Sequence, residues 1–181
     1  MDTGLAVLVV EDDPDVVQAV RLALSAKAAH LHSLDSMQDL EACLESTPFD
    51  TVLLDMNLAT GLRDGSDGLA GLRRIQASDP TLAIVLMTAY AGVSLAVESL
   101  KRGAADFVMK PWRNDRLVEA VSAAAEITHR RRADENRTLD SIEQQAIERA
   151  LSRHQGNISV AADALGLSRA ALYRRKARYG L

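Results

Sequence analysis

Five short apolar runs alternate with amphipathic stretches over the first 127 residues, and this alternation constrains the fold more than any other feature. The runs are Leu5–Val10, a weaker Ala29–Leu34, Thr51–Leu54, Leu82–Met87 and Ala105–Val108. Between them apolar residues recur at helical spacing: Val16, Val17, Val20 and Leu24, then Leu40 and Leu44, then Leu69, Leu72 and Ile75. Short continuous runs separated by amphipathic helices read as strands buried on both faces of a parallel sheet. Five such units in about 125 residues predict an α/β fold with a five-stranded, doubly wound parallel sheet. In sheets of this kind the reactive site lies beyond the carboxyl ends of the strands, where strand order reverses.

The pattern changes after residue 127. Residues 128–139 are densely charged, lack an apolar period, and read as a linker or as an extension of the preceding helix. From 140 a helical stripe returns with Ile142, Ala146, Ile147, Ala150 and Leu151, and Gly156-Asn157 interrupts it. A short helix is expected from Ile158 to Leu165, a turn at Gly166, and a last helix from Arg169 to Tyr179. Ser168 serves as the N-cap of that helix and Gly180 sits at its C-terminal end. Residues 140–181 therefore read as a small all-α domain.

Charge divides along the same line. The chain has a net charge of −4, but residues 1–127 carry 19 acids against 10 bases, whereas residues 128–181 carry 6 acids against 11 bases. An acidic body with a basic tail suggests two jobs, the second of them on a polyanion. The apolar runs are far shorter than the ~20 residues of a membrane helix. The first is followed at once by Glu11-Asp12-Asp13, and no signal-peptide pattern is present. The lone Cys43 gives no internal disulfide, and a cytoplasmic location is expected.

The residues at the ends of the predicted strands carry the chemistry. The first run ends in Asp12 and Asp13, the third in Asp55, the fourth in Thr88 and the fifth in Lys110. Taken singly, a strand-end Asp is more often a helix cap or turn residue. Together these side chains converge on one rim of the sheet. Crowded carboxylates repel one another and favour a bound cation, and hard oxygen ligands point to Mg²⁺ or Mn²⁺. Lys110 and Thr88 suit phosphoryl oxygens, so the set implies attack of a carboxylate on phosphorus and an aspartyl-phosphate.

Val-Val-Glu-Asp-Asp-Pro-Asp, Val-Leu-Leu-Asp55-Met-Asn, Met-Thr88-Ala-Tyr and Phe-Val-Met-Lys110-Pro resemble, in order, the motifs of the receiver domain of two-component response regulators, a flavodoxin-like fold. The resemblance covers residues 5–127. It implies Asp55 as phosphoacceptor, with Asp13 and Asp55 as direct Mg²⁺ ligands. Asp12 would act through a water and Asn57 through its main-chain carbonyl, while Thr88 and Lys110 would bind the phosphoryl group. Phe107 matches the family's aromatic switch position, and it also reads as an ordinary core aromatic. The segment Leu58–Gly65 departs from the family in being longer, proline-free and glycine-rich.

The tail fits a helix-turn-helix whose last helix enters the DNA major groove. Ala161, Ala162, Leu165, Leu167 and Leu172 would close its core, and Arg169, Arg174, Arg175, Lys176 and Arg178 crowd the last helix. Residues 140–181 resemble the Fis-type helix-turn-helix of NtrC-class regulators through Ile-Glu-Arg-Ala-Leu, Gly156-Asn157-Ile-Ser-Val-Ala-Ala and Leu-Gly-Leu-Ser168-Arg-Ala-Ala-Leu-Tyr-Arg-Arg-Lys. By position that resemblance puts Ser168, Arg169, Ala171, Tyr173 and Arg174 on DNA; arginine density adds Arg175 and Arg178. Lys176 stands where the family usually has leucine.

No Gly-x-x-x-x-Gly-Lys-[Ser/Thr] loop is present, and the layout is similar to receiver-plus-Fis regulators of the RegA/ActR/PrrA-like group. His30, His32, His129 and His154 form no metal-binding spacing. The expected function is a regulator that takes a phosphoryl group from a sensor histidine kinase and binds DNA as a homodimer, not an enzyme. An adaptor whose tail binds protein is the alternative. A phosphatase of the haloacid dehalogenase type is disfavoured because Asn57 stands where such an enzyme needs an acid.

Overall fold

The computed structural model describes residues 4–58, 66–89 and 93–181. Elements follow in the order β1 (Leu5–Val10), α1 (Pro14–Leu24), β2 (Ala28–Leu34), α2 (Leu40–Ser46), β3 (Thr51–Asp55), α3 (Ser66–Ser78), β4 (Ile84–Thr88), α4 (Val93–Lys101) and β5 (Asp106–Met109). Three more helices complete the chain: α5 (Asn114–Arg153), α6 (Ile158–Ala164) and α7 (Arg169–Tyr179). The chain divides into two compact units, Met1–Arg131 and Arg132–Leu181.

All five strands of the first unit are parallel, in the order β2-β1-β3-β4-β5. The expected five-stranded doubly wound sheet is the one observed. Its central strands are buried on both faces, because consecutive side chains point to opposite sides. Leu8, Val10, Val52, Leu54, Ile84 and Leu86 pack with Leu40 of α2 and Leu69, Leu72 and Ile75 of α3. On the other face Val7, Val9, Leu53, Val85 and Met87 pack with Val20 and Leu24 of α1 and Leu117, Ala120, Val121 and Ala124 of α5. Neither face is left for polar residues, which is why these strands read as unbroken apolar runs.

Strands β2 to β5 each shift by one or two residues from the runs expected from sequence, β4 the most at its start. The fourth strand starts at Ile84, not Leu82, although Leu82 and Ala83 are buried. The Ala83 carbonyl still accepts from Val52 N–H, but its own N–H donates to Thr128 Oγ1 at 2.9 Å, and Thr128 is fully buried on α5. Of the two readings of residues 128–139, a linker or an extension of the preceding helix, the extension is the one observed: α5 continues without interruption over 40 residues. The segment contains no Gly or Pro, and helix-forming Arg is its commonest residue. Its lack of an apolar stripe means only that, beyond Thr128, it has no buried face.

The second unit has a small core of Ile147, Ala150, Ala161, Ala162 and Leu172, with Leu151, Leu165, Leu167 and Tyr179 packed at its edge. Asn157 caps α6 by accepting from Val160 N, and Ser168 caps α7 by accepting from Ala171 N at 3.2 Å. Gly166 and Gly180 both adopt φ +67°, a left-handed backbone that a side chain disfavours. The expected helix, turn and helix are thus present, with Ser168 and Gly180 as the expected caps and Asn157, expected only as part of a break, capping α6.

Candidate functional site

The carboxyl ends of β1, β3, β4 and β5 bring Glu11, Asp12, Asp55, Thr88 and Lys110 to one rim, next to the reversal of strand order between β1 and β3. Glu11, Asp55 and Thr88 are all buried. Backbone hydrogen bonds hold the strand ends in register: Lys110 N–H donates to the Thr88 carbonyl at 2.7 Å, and Met56 N–H to the Met87 carbonyl at 2.9 Å. The Lys110 ammonium then reaches back across the sheet. Its Nζ lies 2.8 Å from Asp55 Oδ1 and 2.5 Å from Glu11 Oε2, so one cation bridges two buried carboxylates.

Burial pushes the Glu11 carboxyl above the usual glutamate range, and the nearby Asp55 charge adds to it, against the hydrogen bond and charge of Lys110. Burial also works against the charged form of Lys110. The hydrogen bonds and charges of Asp55 and Glu11 outweigh it, and the ammonium is held above the ordinary lysine range.

One carboxylate oxygen each from Glu11, Asp12 and Asp55 can lie within 4.8 Å of the others. This all-oxygen donor set fits a hard divalent cation such as Mg²⁺. The trio differs from the one expected from sequence. Asp13 was expected as a ligand, and instead it caps α1, its Oδ1 accepting from Asp15 N–H at 2.9 Å. Its place in the cluster is taken by Glu11, whose Oε1 also accepts from Asp13 N–H at 3.4 Å. The physical reason is the pleat and the helix start: β1 ends at Val10, so Glu11 and Asp12 are the first two side chains beyond the strand. Pro14 then fixes the first turn of α1 and leaves Asp13 in capping conformation. A carboxylate immediately after the strand was the signal available for Glu11.

Asn57 N–H donates to Asp55 Oδ2 at 3.0 Å, orienting the carboxylate. The Asn57 Oδ1 atom is buried without a hydrogen-bond partner among the described residues. Gly68, early in α3, donates its N–H to the Met56 carbonyl at 3.1 Å, and a Cβ there would lie 2.6 Å from Met56 Cα. Only glycine permits this approach beside the strand that carries Asp55. Phe107 is half-buried against the sheet core, and Arg116 donates to its carbonyl and to Asp106. Of the unusual loop 58–65, residues 59–65 lie outside the described residues, as does Tyr90 of the fourth-strand motif.

In the second unit the predicted DNA-facing residues separate into two sets. Ser168, Arg169, Tyr173 and Arg174 are exposed and Ala171 is half-buried. Arg175 and Arg178 are instead engaged with α5: Arg175 Nε donates to Glu143 Oε1 at 2.5 Å, and Arg178 Nη2 donates to both Asp140 oxygens at 2.9 and 3.0 Å. Tyr179 Oη donates to Glu143 Oε2 at 2.5 Å and lies 3.2 Å from Asp140 Oδ1. Charge counting along the sequence missed this network because its acids lie more than thirty residues away.

The family described as response regulator receiver domain matches residues 7–122. The chain belongs to the response regulator receiver family. A second family, bacterial regulatory protein of the Fis family, matches residues 138–179. Among relatives, the C4-dicarboxylate transport transcriptional regulatory protein DctD of Pseudomonas aeruginosa is 33% identical over 138 residues, covering 76% of this chain and 28% of DctD. The transcriptional regulatory protein FixJ of Bradyrhizobium diazoefficiens is 30% identical, covering 68% of this chain and 58% of FixJ. This response regulator therefore spans less than a third of the DctD and ZraR relatives it matches. Among solved structures, the N-terminal receiver domain of a response regulator from Bacteroides fragilis aligns with TM-score 0.60 and 38% identity over 66% of this chain and 95% of that one. NtrX from Brucella abortus aligns with TM-score 0.64 and 28% identity over 74% of this chain and 29% of that one. No described helix is long and apolar enough to cross a membrane.

Proposed function

We propose that this response regulator is a phosphorylation-controlled, DNA-binding transcriptional regulator of a two-component system. Asp55 accepts a phosphoryl group from a sensor histidine kinase, and the tail binds double-stranded DNA as a homodimer, at least in the phosphorylated form. The observation that carries it is the Lys110 ammonium bridging buried Asp55 and Glu11 at the carboxyl ends of the strands. Such an arrangement holds the Asp55 side chain in a fixed direction, with a cation beside it where negative charge arrives.

Glu11, Asp12 and Asp55 hold Mg²⁺ in this proposal, with Asn57 completing the set. The ion, when bound, supplies charge neutralisation at the phosphoryl oxygens. Asn57 N–H holds one Asp55 oxygen, leaving the other as nucleophile once Lys110 turns to the incoming phosphoryl group. Thr88 meets the new charge at the end of β4, and Phe107 on the neighbouring β5 registers the change. Two domain functions follow the two family matches: residues 1–127 receive the signal, the helical segment 128–139 connects, and residues 140–181 read DNA.

The test is labelling with a small phosphodonor and Mg²⁺, read by intact-protein mass spectrometry. The wild-type chain gains one base-labile phosphoryl group and Asp55→Asn gains none. Equal labelling of the variant refutes the acceptor.

A further inference from the structure

α7 is held to its unit by one fully buried side chain, Leu172. The rest of that core is mostly alanine, with Ile147 its one other large buried residue. A helix of 11 residues with one fully buried anchor and only the half-buried Tyr179 ring two turns on can rock about that anchor, and a pivot of a few degrees moves base-reading side chains out of register. What stops the pivot is polar. At 100° per residue, Leu172, Arg175, Lys176 and Tyr179 share one face of α7, and Ala170, Tyr173, Arg174 and Ala177 share the opposite one, with Arg178 at the border and Arg169, in the first turn, at the edge of the Leu172 face. Exposure follows this division: the first group is buried or half-buried and the second exposed.

We propose that Asp140, Glu143 and Tyr179 are positioning residues for DNA recognition. They clamp Arg175 and Arg178 against α5, fix the angle of α7, and withdraw both arginines from phosphate contact. The inference rests on the DNA-binding reading above and refines it, since it divides the basic residues of α7 into a reading set and a clamping set. Three donor side chains converge on two carboxylates. Arg175 and Tyr179 take separate oxygens of Glu143, and Arg178 takes both oxygens of Asp140, with its guanidinium 5.4 Å from the Tyr179 ring centroid. The Tyr179 hydroxyl is pushed up to about 12 by its bond to Glu143, in keeping with a donor held on an anion.

The clamp and a simple charge account predict opposite signs. Removing an acid near a DNA-binding face should strengthen binding to a polyanion by charge alone. If the acid holds the recognition helix, its removal weakens binding to the specific site. Full-length protein is titrated by fluorescence anisotropy with two probes: a duplex enriched by the wild-type protein from a random library, and a random-sequence duplex.

Glu143→Gln and Tyr179→Phe are expected to lose roughly tenfold in affinity for the enriched duplex, with binding to the random duplex equal or tighter. On the random duplex, Arg175→Gln and Arg178→Gln keep the wild-type slope of log affinity against log salt. Arg174→Gln loses about 0.9 from it, the signature of one phosphate contact. The proposal is overturned if Glu143→Gln tightens binding to the enriched duplex, or if Arg175→Gln and Arg178→Gln lower the slope as Arg174→Gln does. Should Glu143→Gln unfold the tail by circular dichroism, Tyr179→Phe and the arginine slopes still decide. Wild-type protein that binds neither duplex refutes the DNA-binding reading itself and the clamp's role with it; a changed Arg175 slope in a protein that does bind refutes the clamp alone.

Discussion

Replacing Lys110 with methionine removes the cation shared by Asp55 and Glu11 while keeping most of the side-chain volume. At an effective dielectric of about 20, each of the two contacts, at 2.5 and 2.8 Å, is a Coulomb attraction of roughly 6 kcal/mol. Desolvation of three ions offsets most of that gain. The variant removes the attraction but leaves the carboxylates where they are, with side-chain exposures of 2% for Glu11 and 5% for Asp55. Stranding buried charge in this way costs about 3–5 kcal/mol. A loss of that size lowers the unfolding temperature of a unit this large by about 10–15 °C. Trp112 is the chain's one tryptophan and lies beside the site, so its fluorescence follows the receiver unit alone. Melts run in EDTA should show the gap between Lys110→Met and wild type, and millimolar Mg²⁺ should narrow it, because the divalent cation takes over neutralisation of the same carboxylates. A gap below about 1 kcal/mol in EDTA, or one that Mg²⁺ widens, would show that Lys110 does not balance these charges.

Asp12→Ala should abolish labelling by a small phosphodonor in Mg²⁺, whereas Asp13→Ala should label normally and lose only about 1 kcal/mol of stability as a missing helix cap; the reverse pattern in mass spectra and urea melts would restore Asp13 as the ligand. Thr128→Val keeps the shape of the side chain but leaves the buried Ala83 N–H without its acceptor, so urea unfolding should show a loss of about 1–3 kcal/mol. Its hydroxyl also donates to the Ala124 carbonyl, and unchanged stability would mean that neither bond matters. The Glu143 carboxyl is held below the usual glutamate range by the Tyr179 hydroxyl and then by Arg175. A lowered folded-state pKa contributes stability that is present above the unfolded value, about 4.3, and is lost as pH falls through the folded value. Helix signal from the tail should therefore weaken below that pH in wild type, and Glu143→Gln should flatten the dependence.

Periodicity determined much of this protein before any contact was considered. Unbroken apolar runs such as Leu5–Val10 and Thr51–Leu54 require a sheet covered on both sides, because each successive side chain needs its own apolar neighbour. Glycine and cap chemistry placed α6 and α7 for an equally local reason: Asn157, Ser168 and Gly180 satisfy backbone groups within a few residues of themselves. The rim holding Asp55, Thr88 and Lys110 was legible too, since a parallel sheet puts every strand's carboxyl end on one side.

What only the tertiary structure decided was the choice among neighbours with the same chemistry. Glu11, Asp12 and Asp13 are three consecutive acids. Which of them meets Asp55 depends on where β1 stops and where Pro14 starts α1, a matter of a single residue. Arg174 and Arg175 are likewise adjacent and alike in sequence. The rotation of α7 about Leu172 exposes one and turns the other toward Glu143, 32 residues earlier in the chain. Residues 128–139 belong with these cases, because a polar helix and a polar linker share a composition and differ only in whether the backbone bonds continue from the turn before. Local pattern specifies elements because backbone geometry is periodic; it does not specify partners, which are set by the packing of segments far apart in the chain.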